Sequence, residues 1–182
     1  MTHDELNLDA YAQMLQTFRR AGYRSVKFQD IDAADLEQKV VYRHDVDVSE
    51  EGAVALATDE HGCEVVSTYY FLVTSPLYNI LSKEISVQIK MIHDLGHDIS
   101  LHFNPHYYGP GALEHIGNEL DLLGKFYPFA NLEWISFHRP GALAGQLSQI
   151  QLPNGIRHTY EHVFFETLGY YSDSRGSWSR GQ

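Results

Sequence analysis

Apolar residues along the chain alternate between helical spacing and short runs typical of buried β-strands. The predicted helices are 8–21, one that begins at Ser49, one that begins at Ser82, one after Gly111, and 159–168. The predicted strands are 39–43, 65–73, 99–103, 134–137 and 170–172. Strands that alternate with helices predict an α/β fold with a parallel sheet, either open or closed into a barrel.

We expect one domain over 1–182, because 182 residues with 43% hydrophobic content can bury a substantial core and no repeat or linker divides them. The formal net charge of -11 makes nucleic acid an unfavourable partner. No apolar run has the length of a signal peptide or a membrane span, so we expect no membrane span and a cytoplasmic location. Cys63 is the only cysteine, so an internal disulfide and a cysteine-rich zinc site are excluded.

Polar residues with catalytic or metal-binding side chains follow three of the predicted strands. The first strand ends in the run 43–47 (RHDVD), the third in 101–106 (LHFNPH) and the fourth in 137–140 (FHRP). In parallel α/β folds, ligands bind at the carboxyl ends of the strands. We therefore expect these three runs to meet in one polar patch.

Two carboxylates of the first run are expected to lie on the same face of the sheet. Side chains on a strand alternate between faces, so Arg43, Asp45 and Asp47 share one face and His44 points towards the outer helices. Two like charges this close need a cation, a shared proton or a metal ion. An ordinary acidic strand end that pairs with Arg43 also meets this need, and on this segment alone that interpretation is favoured.

His102 and His106 are two imidazoles four residues apart. Pro105 favours an extended conformation at Asn104, so the pair is predicted to lie on a strand end and the turn after it, unlike the histidines of a helical metalloprotease. Two imidazoles and one carboxylate make a three-ligand site that leaves a position for water, which is typical of catalytic zinc. A histidine pair alone is weak evidence, but its expected position beside two carboxylates strengthens it.

Four segments follow one another in the order of the motifs of one enzyme family. Segment 44–47 has an acidic pair separated by one residue, and 96–106 has a Gly-His-acid lead-in before His-x-x-x-His. Segment 137–141 contains Arg-Pro, and 172–178 contains an acid and a tryptophan. These segments resemble the motifs of the polysaccharide deacetylase (NodB-homology) family. More narrowly, the chain looks like divergent members encoded among bacterial genes for lipopolysaccharide O-antigen and other surface glycans.

The resemblance implies a fold and a metal site. The fold would be a distorted (β/α) barrel, and whether its C-terminal part is complete stays open because the family's final leucine-rich motif is not found before Gln182. The family's metal ligands correspond to Asp47, His102 and His106, which would bind one divalent metal. Histidine and carboxylate ligands favour Zn²⁺, with Co²⁺ or Ni²⁺ as substitutes.

The resemblance also implies an activity. The protein would be a metal-dependent hydrolase that removes an acetyl group, preferably N-acetyl, from a sugar of a surface polysaccharide or its precursor. By analogy Asp45 is the general base, Arg139 orients it, and His138 is the first candidate for the general acid. The candidates for binding the N-acetylated sugar are Tyr107, Asp173 and Trp178.

Departures from the family pattern leave an alternative function open. The acids of the first motif are separated, and the final motif that supplies the general acid is missing. The main alternative is a protein that binds a metal and a glycan without hydrolysis. An amidohydrolase is disfavoured because the first strand lacks His-x-His, and a helical metalloprotease because His-Glu-x-x-His is absent.

Overall fold

The computed structural model describes residues 8–32, 34–143, 147–172 and 179–180. Its α-helices are Leu8–Arg20 (α1), Glu50–Gly62 (α2), Lys83–Asp94 (α3), Pro105–Tyr108 (α4) and Ile116–Phe126 (α5). Its strands are Arg24–Ser25 (β1), Lys39–Val40 (β2), Tyr42–Val46 (β3), Ser67–Phe71 (β4), Asp98–Phe103 (β5), Trp134–Phe137 (β6), Arg157–His158 (β7), Tyr171–Ser172 (β8) and Ser179–Arg180 (β9). This alternation confirms the predicted α/β class. None of the helices in these ranges combines the length and apolar character needed to cross a bilayer.

The main sheet contains five parallel strands that follow one another in chain order, β3-β4-β5-β6-β7. Crossover connections between parallel strands are almost always right-handed. A sheet built in chain order therefore places its connecting helices on one face, where α2 contacts β3 and both α3 and α5 contact β5. A doubly wound sheet would instead reverse its strand order and carry helices on both faces.

The two faces of the sheet differ in chemistry. Alternate residues of β4, β5 and β6 pack against the helices and are almost completely buried: Tyr69, Phe71, Ile99, Leu101, Phe103, Ile135 and Phe137. Each large apolar side chain of this kind contributes on the order of 1.5–3 kcal/mol to folding by leaving water. The intervening residues include four buried polar side chains, Thr68, Ser100, His102 and Ser136. The apolar face thus holds the helices, and the polar face carries the candidate site.

Side-chain contacts between the two edges show that the sheet is curved. Arg43 on β3 donates a hydrogen bond of 2.8 Å to the hydroxyl of Thr159, which follows β7 at the other edge. Neighbouring strands lie about 4.8 Å apart, so a flat sheet would separate these edges by roughly 19 Å, beyond the reach of an arginine. Among the described residues, no backbone hydrogen bond joins β7 to β3. Closure into a barrel of the deacetylase type therefore stays a prediction.

Helix boundaries predicted from the sequence are confirmed at three positions. Ser49 caps α2 by accepting the backbone N–H of Gly52 at 3.0 Å, and Ser82 caps α3 by accepting that of Ile85 at 3.3 Å. A serine cap of this kind typically stabilises a helix by about 1 kcal/mol. Gly96 has a φ of +100°, a conformation open mainly to glycine, and it turns the chain from α3 into β5.

The C-terminal part differs from the prediction. The helix predicted over 159–168 is reduced to a five-residue π-helical segment, Val163–Thr167. The fifth strand of the main sheet is β7, whereas β8, where the fifth strand was predicted, pairs antiparallel with β9 in a separate two-stranded sheet. A strand of two residues is too short to display alternation, so β7 has no signal in the sequence.

Candidate metal centre

Side chains from three strands bring their ligand atoms together at the carboxyl ends of the main sheet. Asp47 follows β3, His102 lies in β5 and His138 follows β6. Asp47 Oδ1 is 3.0 Å from His138 Nδ1 and 3.3 Å from His102 Nε2, and the two nitrogens are 3.2 Å apart. Within the described ranges, these residues form the one group of three whose ligand atoms all lie within 4.8 Å of one another. We call this group the ligand triad.

The size of the triad suits a first-row metal ion. Zinc binds imidazole nitrogen and carboxylate oxygen at about 2.0–2.1 Å, usually in tetrahedral geometry, which separates two ligand atoms by roughly 3.3–3.4 Å. The observed separations of 3.0, 3.2 and 3.3 Å are close to this value. One ion can therefore contact all three atoms after small movements, and tetrahedral coordination leaves a fourth position for water.

His102 is oriented by contacts on the side of its ring away from the triad. Its Nδ1 lies 3.3 Å from the carbonyl oxygen of Ser136 and 3.9 Å from Asp45 Oδ1. When Nδ1–H donates to the carbonyl oxygen of Ser136, Nε2 keeps a lone pair, and Nε2 is the atom that belongs to the triad. Histidines that bind metals usually donate their other ring N–H to a carbonyl or carboxylate in this way.

The carboxylate of Asp47 also fits a bound cation. Its Oδ1 is shielded from solvent and accepts no well-formed hydrogen bond from the described part of the chain, although two ring nitrogens lie within 3.3 Å. Buried polar atoms without a partner are rare in native proteins because their desolvation is not compensated. A cation at the centre of the triad would compensate it, so the residues present fit a divalent metal.

The protonation states of the triad match those that bind a cation. Burial alone would raise the pKa of Asp47, but the neighbouring imidazoles of His102 and His138 outweigh it and hold that pKa below its usual value. Burial lowers the pKa of His138, and the charge of Asp47 offsets only part of that effect. Near neutral pH the carboxylate is therefore ionised and the imidazole of His138 is neutral, as metal binding requires.

Asp45 lies beside the triad and pairs with Arg43, as expected for an ordinary acidic strand end, whereas the family resemblance implied Arg139. Its Oδ2 is 3.4 Å from Arg43 Nη2, while its Oδ1 is buried without a hydrogen bond from any described residue. Arg139 is exposed, and no ion pair joins it to Asp45 in the part of the chain that the structure covers. The role of Asp45 as a base, and that of Arg139, stay predictions.

The structure does not bring His106 into the triad. Pro105 begins the single turn of α4, and Asn104 caps it by accepting the backbone N–H of His106 at 3.1 Å. This turn leaves His106 exposed, with Nε2 at 3.0 Å from the carbonyl oxygen of Arg139. His138 supplies the third ligand atom instead, and His106 as a ligand stays a prediction.

Strand alternation is the signal that identifies His138 as a ligand, whereas the family resemblance suggested it as a general acid. The sheet register places Ser136 opposite His102, and the backbone N–H of His138 donates to the carbonyl of Phe103 at 2.8 Å. Residues two apart on a strand share a face, so His138 follows Ser136 onto the face that carries His102. The alternation that places Asp45 and Asp47 on one face of the first strand also applies to the fourth strand, where it predicts His138 beside Asp47 and His102.

The predicted sugar-binding residues are only partly described. Tyr107 is exposed on α4, and Asp173 and Trp178 lie outside the described residues. A cleft of about 480 Å³ next to α4 is lined by 105–106 and 109–114, so it borders His106. Another cleft, of about 580 Å³, lies where β6 and β7 begin and is lined by no residue of the triad. Neither cleft is lined by a residue of the triad, and the first is distinguished by its contact with His106.

Comparisons of this chain with protein-family models, with curated proteins and with solved structures found no match. The interpretation of the site therefore rests on its geometry and on the sequence motifs that supply its residues. Those motifs and the triad have Asp47 and His102 in common.

Proposed function

We propose that this protein is a metal-dependent hydrolase that removes an acetyl group, preferably N-acetyl, from a sugar of a surface polysaccharide or its precursor. The observation that carries the proposal is the ligand triad with a second carboxylate, Asp45, beside it at the carboxyl ends of a parallel sheet. The resemblance to the deacetylase motifs supplies the acetylated sugar as the substrate class. The proposed ion is Zn²⁺, with Co²⁺ or Ni²⁺ as substitutes, because the ligand atoms are two imidazole nitrogens and a carboxylate oxygen.

The residues around the triad divide the proposed chemistry between them. A bound divalent ion would lower the pKa of a coordinated water and polarise the acetamide carbonyl. Asp45 has a buried oxygen without a hydrogen bond from the described residues, 3.9 Å from His102 Nδ1, and is proposed to accept the proton of the attacking water. The water oxygen bonds to the carbonyl carbon, the C–N bond breaks and the amine takes up a proton, so the products are acetate and an amino sugar.

The departing amine needs a proton donor that does not bind the metal. His138 was the expected donor, but its Nδ1 belongs to the triad. His106 is exposed, borders the cleft of about 480 Å³, and is held through Nε2 by the carbonyl of Arg139. We therefore assign His138 as the metal ligand and His106 as the proton donor, the reverse of the roles that the resemblance implies.

The test is an assay of acetate and free amine with purified protein that is stripped by a chelator and reloaded with zinc. Substrates are nucleotide-linked and lipid-linked N-acetylated amino sugars, with O-acetylated sugars in parallel. We expect equal amounts of acetate and amine from the reloaded protein, and none from the stripped protein or from Asp47→Asn. Asp94→Asn is the matched control, because Asp94 pairs with Lys90 on the surface of α3. Zinc-loaded protein that releases no acetate from this panel contradicts the proposal.

One observation favours the alternative of metal and glycan binding without turnover. The arginine of the third motif, Arg139, is exposed and makes no ion pair with Asp45 within the described ranges. Calorimetry with N-acetylated glycans, run beside the turnover assay, separates the two functions. Glycan binding that depends on metal, without acetate release during long incubation, supports the alternative, whereas turnover restored by zinc excludes it.

A further inference from the structure

Arg43 is the guanidinium in contact with Asp45. It lies two residues before Asp45 on β3, so both side chains share the polar face of the sheet. Its Nη2 is 3.4 Å from Asp45 Oδ2, and only 14% of the Arg43 side chain is exposed. An ion pair that is largely removed from water depends strongly on its geometry, because neither charge can easily return to solvent. The position of Arg43 therefore constrains the position of the Asp45 carboxylate.

Residues after the last strand of the main sheet hold Arg43 in this position. Nη1 donates to Thr159 Oγ1 at 2.8 Å, and Nη2 donates to the hydroxyl of Tyr170 at 3.1 Å. The guanidinium carbon lies 4.9 Å from the ring centre of Tyr160 and 5.6 Å from that of Tyr170, within the range of cation–π attraction. Arg43 cannot leave Asp45 without breaking these contacts. The chain after β7 is thus connected to the carboxylate beside the triad.

The opposite face of β3 is fixed as well. His44 Nε2 lies 2.7 Å from Oε1 of Glu60, a residue of α2 that is completely buried. Side-chain contacts therefore hold β3 on both faces, and Asp45 Oδ1 lies 3.9 Å from His102 Nδ1. By contrast, the backbone of Arg139 has a φ of +46° and its side chain is exposed.

We propose that Arg43 is the positioning residue that orients Asp45 in the proposed hydrolysis, and that Thr159 and Tyr170 hold it in place. This inference rests on the proposed function. Arg43 acts through Asp45 and has no described contact with an atom of the triad. Its loss should therefore slow the reaction and leave zinc binding unchanged.

The first measurement is the steady-state kinetics of two variants of the zinc-loaded, full-length protein. Arg43→Lys keeps the charge but lacks the planar fork, so it cannot contact Asp45, Thr159 and Tyr170 together. We expect kcat to fall about 10- to 100-fold with KM within about twofold, because a carboxylate misplaced by ~1 Å impairs the reaction more than ground-state binding. Thr159→Val removes only one hydrogen bond and is expected to lower kcat by about 3- to 10-fold.

Arg157→Lys is the matched control. Arg157 also pairs with a carboxylate, that of Glu161 at 3.0 Å, and lies over an aromatic ring, that of Trp134 at 4.4 Å, but where β6 and β7 begin. We expect this variant to keep its kcat and all three variants to keep one zinc per chain. An unchanged kcat in Arg43→Lys overturns the inference, as does a loss in Arg139→Lys without one in Arg43→Lys. If Arg43→Lys does not fold, an unchanged kcat in Thr159→Val overturns the inference.

Crystal structures of wild type and of Thr159→Val give a readout that does not depend on activity. We expect the Asp45 carboxylate to shift with Arg43 when the bond to Thr159 is removed. An Asp45 that keeps its position although Arg43 moves overturns the inference. If wild type releases no acetate, the proposed function fails, and these structures still decide whether Arg43 positions Asp45.

Discussion

Glu60 is completely buried between α2 and the main sheet, and its stability contribution can be predicted from its contacts. Its carboxylate accepts hydrogen bonds from Tyr11 at 2.5 Å, from Tyr69 at 2.7 Å and from Ser67, and it contacts His44 at 2.7 Å. These partners come from α1, β3 and β4. The carboxylate therefore connects three elements to α2, and Glu60→Gln should destabilise the protein.

The size of the effect follows from the pKa of Glu60. Burial alone would raise this pKa, but His44 and the hydrogen-bond donors outweigh it and lower it from 4.5 to about 2. That difference corresponds to about 3 kcal/mol, since one pKa unit is about 1.4 kcal/mol. Leaving buried polar groups without their partner costs about 1–3 kcal/mol in other proteins, and more for charged groups, which agrees with this value. Because the folded-state pKa is depressed, the stabilisation is present above pH 4.5 and is lost as the pH falls towards about 2.

The assay is equilibrium unfolding in urea, followed by circular dichroism between pH 7 and pH 3. We expect Glu60→Gln to be less stable than wild type by about 3 kcal/mol at pH 7, and the difference to shrink as the pH falls below 4.5. Glu64→Gln is the control, because Glu64 pairs with Arg19 on the surface and should change stability little. A difference that does not depend on pH, or one below about 1 kcal/mol at pH 7, would refute the reasoning.

Two further predictions concern other titratable groups. Burial raises the pKa of Glu119 from 4.5 to about 7, although the hydroxyl of Tyr108 and the ring of His102 partly offset this effect. Because the folded-state pKa is raised, the contribution of Glu119 to stability is lost as the pH rises from 4.5 through 7. Glu119→Gln should remove this loss and be more stable than wild type at pH 8 in urea unfolding; an identical pH dependence in both proteins would contradict it. In zinc competition with a chelating dye, His138→Ala should weaken binding at least about 100-fold and much more than His106→Ala, because His138 supplies a ligand atom. The opposite order would identify His106 as the third ligand.

The sequence predicts the parts of this structure that depend on local patterns. Alternation on the first strand places Asp45 and Asp47 on one face, and His44 on the side of α2, where it contacts Glu60. The serine caps and Gly96 mark helix boundaries because their chemistry is local. Ligands of parallel α/β folds bind at the carboxyl ends of the strands, and this rule correctly predicts that the polar run after β6 meets the runs of β3 and β5.

Contacts between residues that are far apart in the chain could not be predicted from local sequence patterns. The third residue of the triad is a different case, because alternation along the fourth strand points to His138, whereas the assignment of His106 rested on a motif spacing. Glu60 lies in the polar run 59–61 of a helix, and its burial depends on partners from three other elements. The hydrogen bonds of Arg43 to Thr159 and Tyr170 also depend on the curvature that brings the two edges of the sheet together. Such contacts are set by packing, and local propensity carries no information about them.

The most direct test of the central claim is anomalous diffraction at the zinc edge from crystals of the full-length protein loaded with zinc. The account predicts one peak at about 2.0–2.2 Å from Asp47 Oδ1, His102 Nε2 and His138 Nδ1, with a solvent ligand at the fourth position. A peak held by Asp47, His102 and His106, with His138 outside the coordination sphere, would contradict the ligand assignment. Zinc-loaded crystals without a peak at the triad would contradict the metal centre itself.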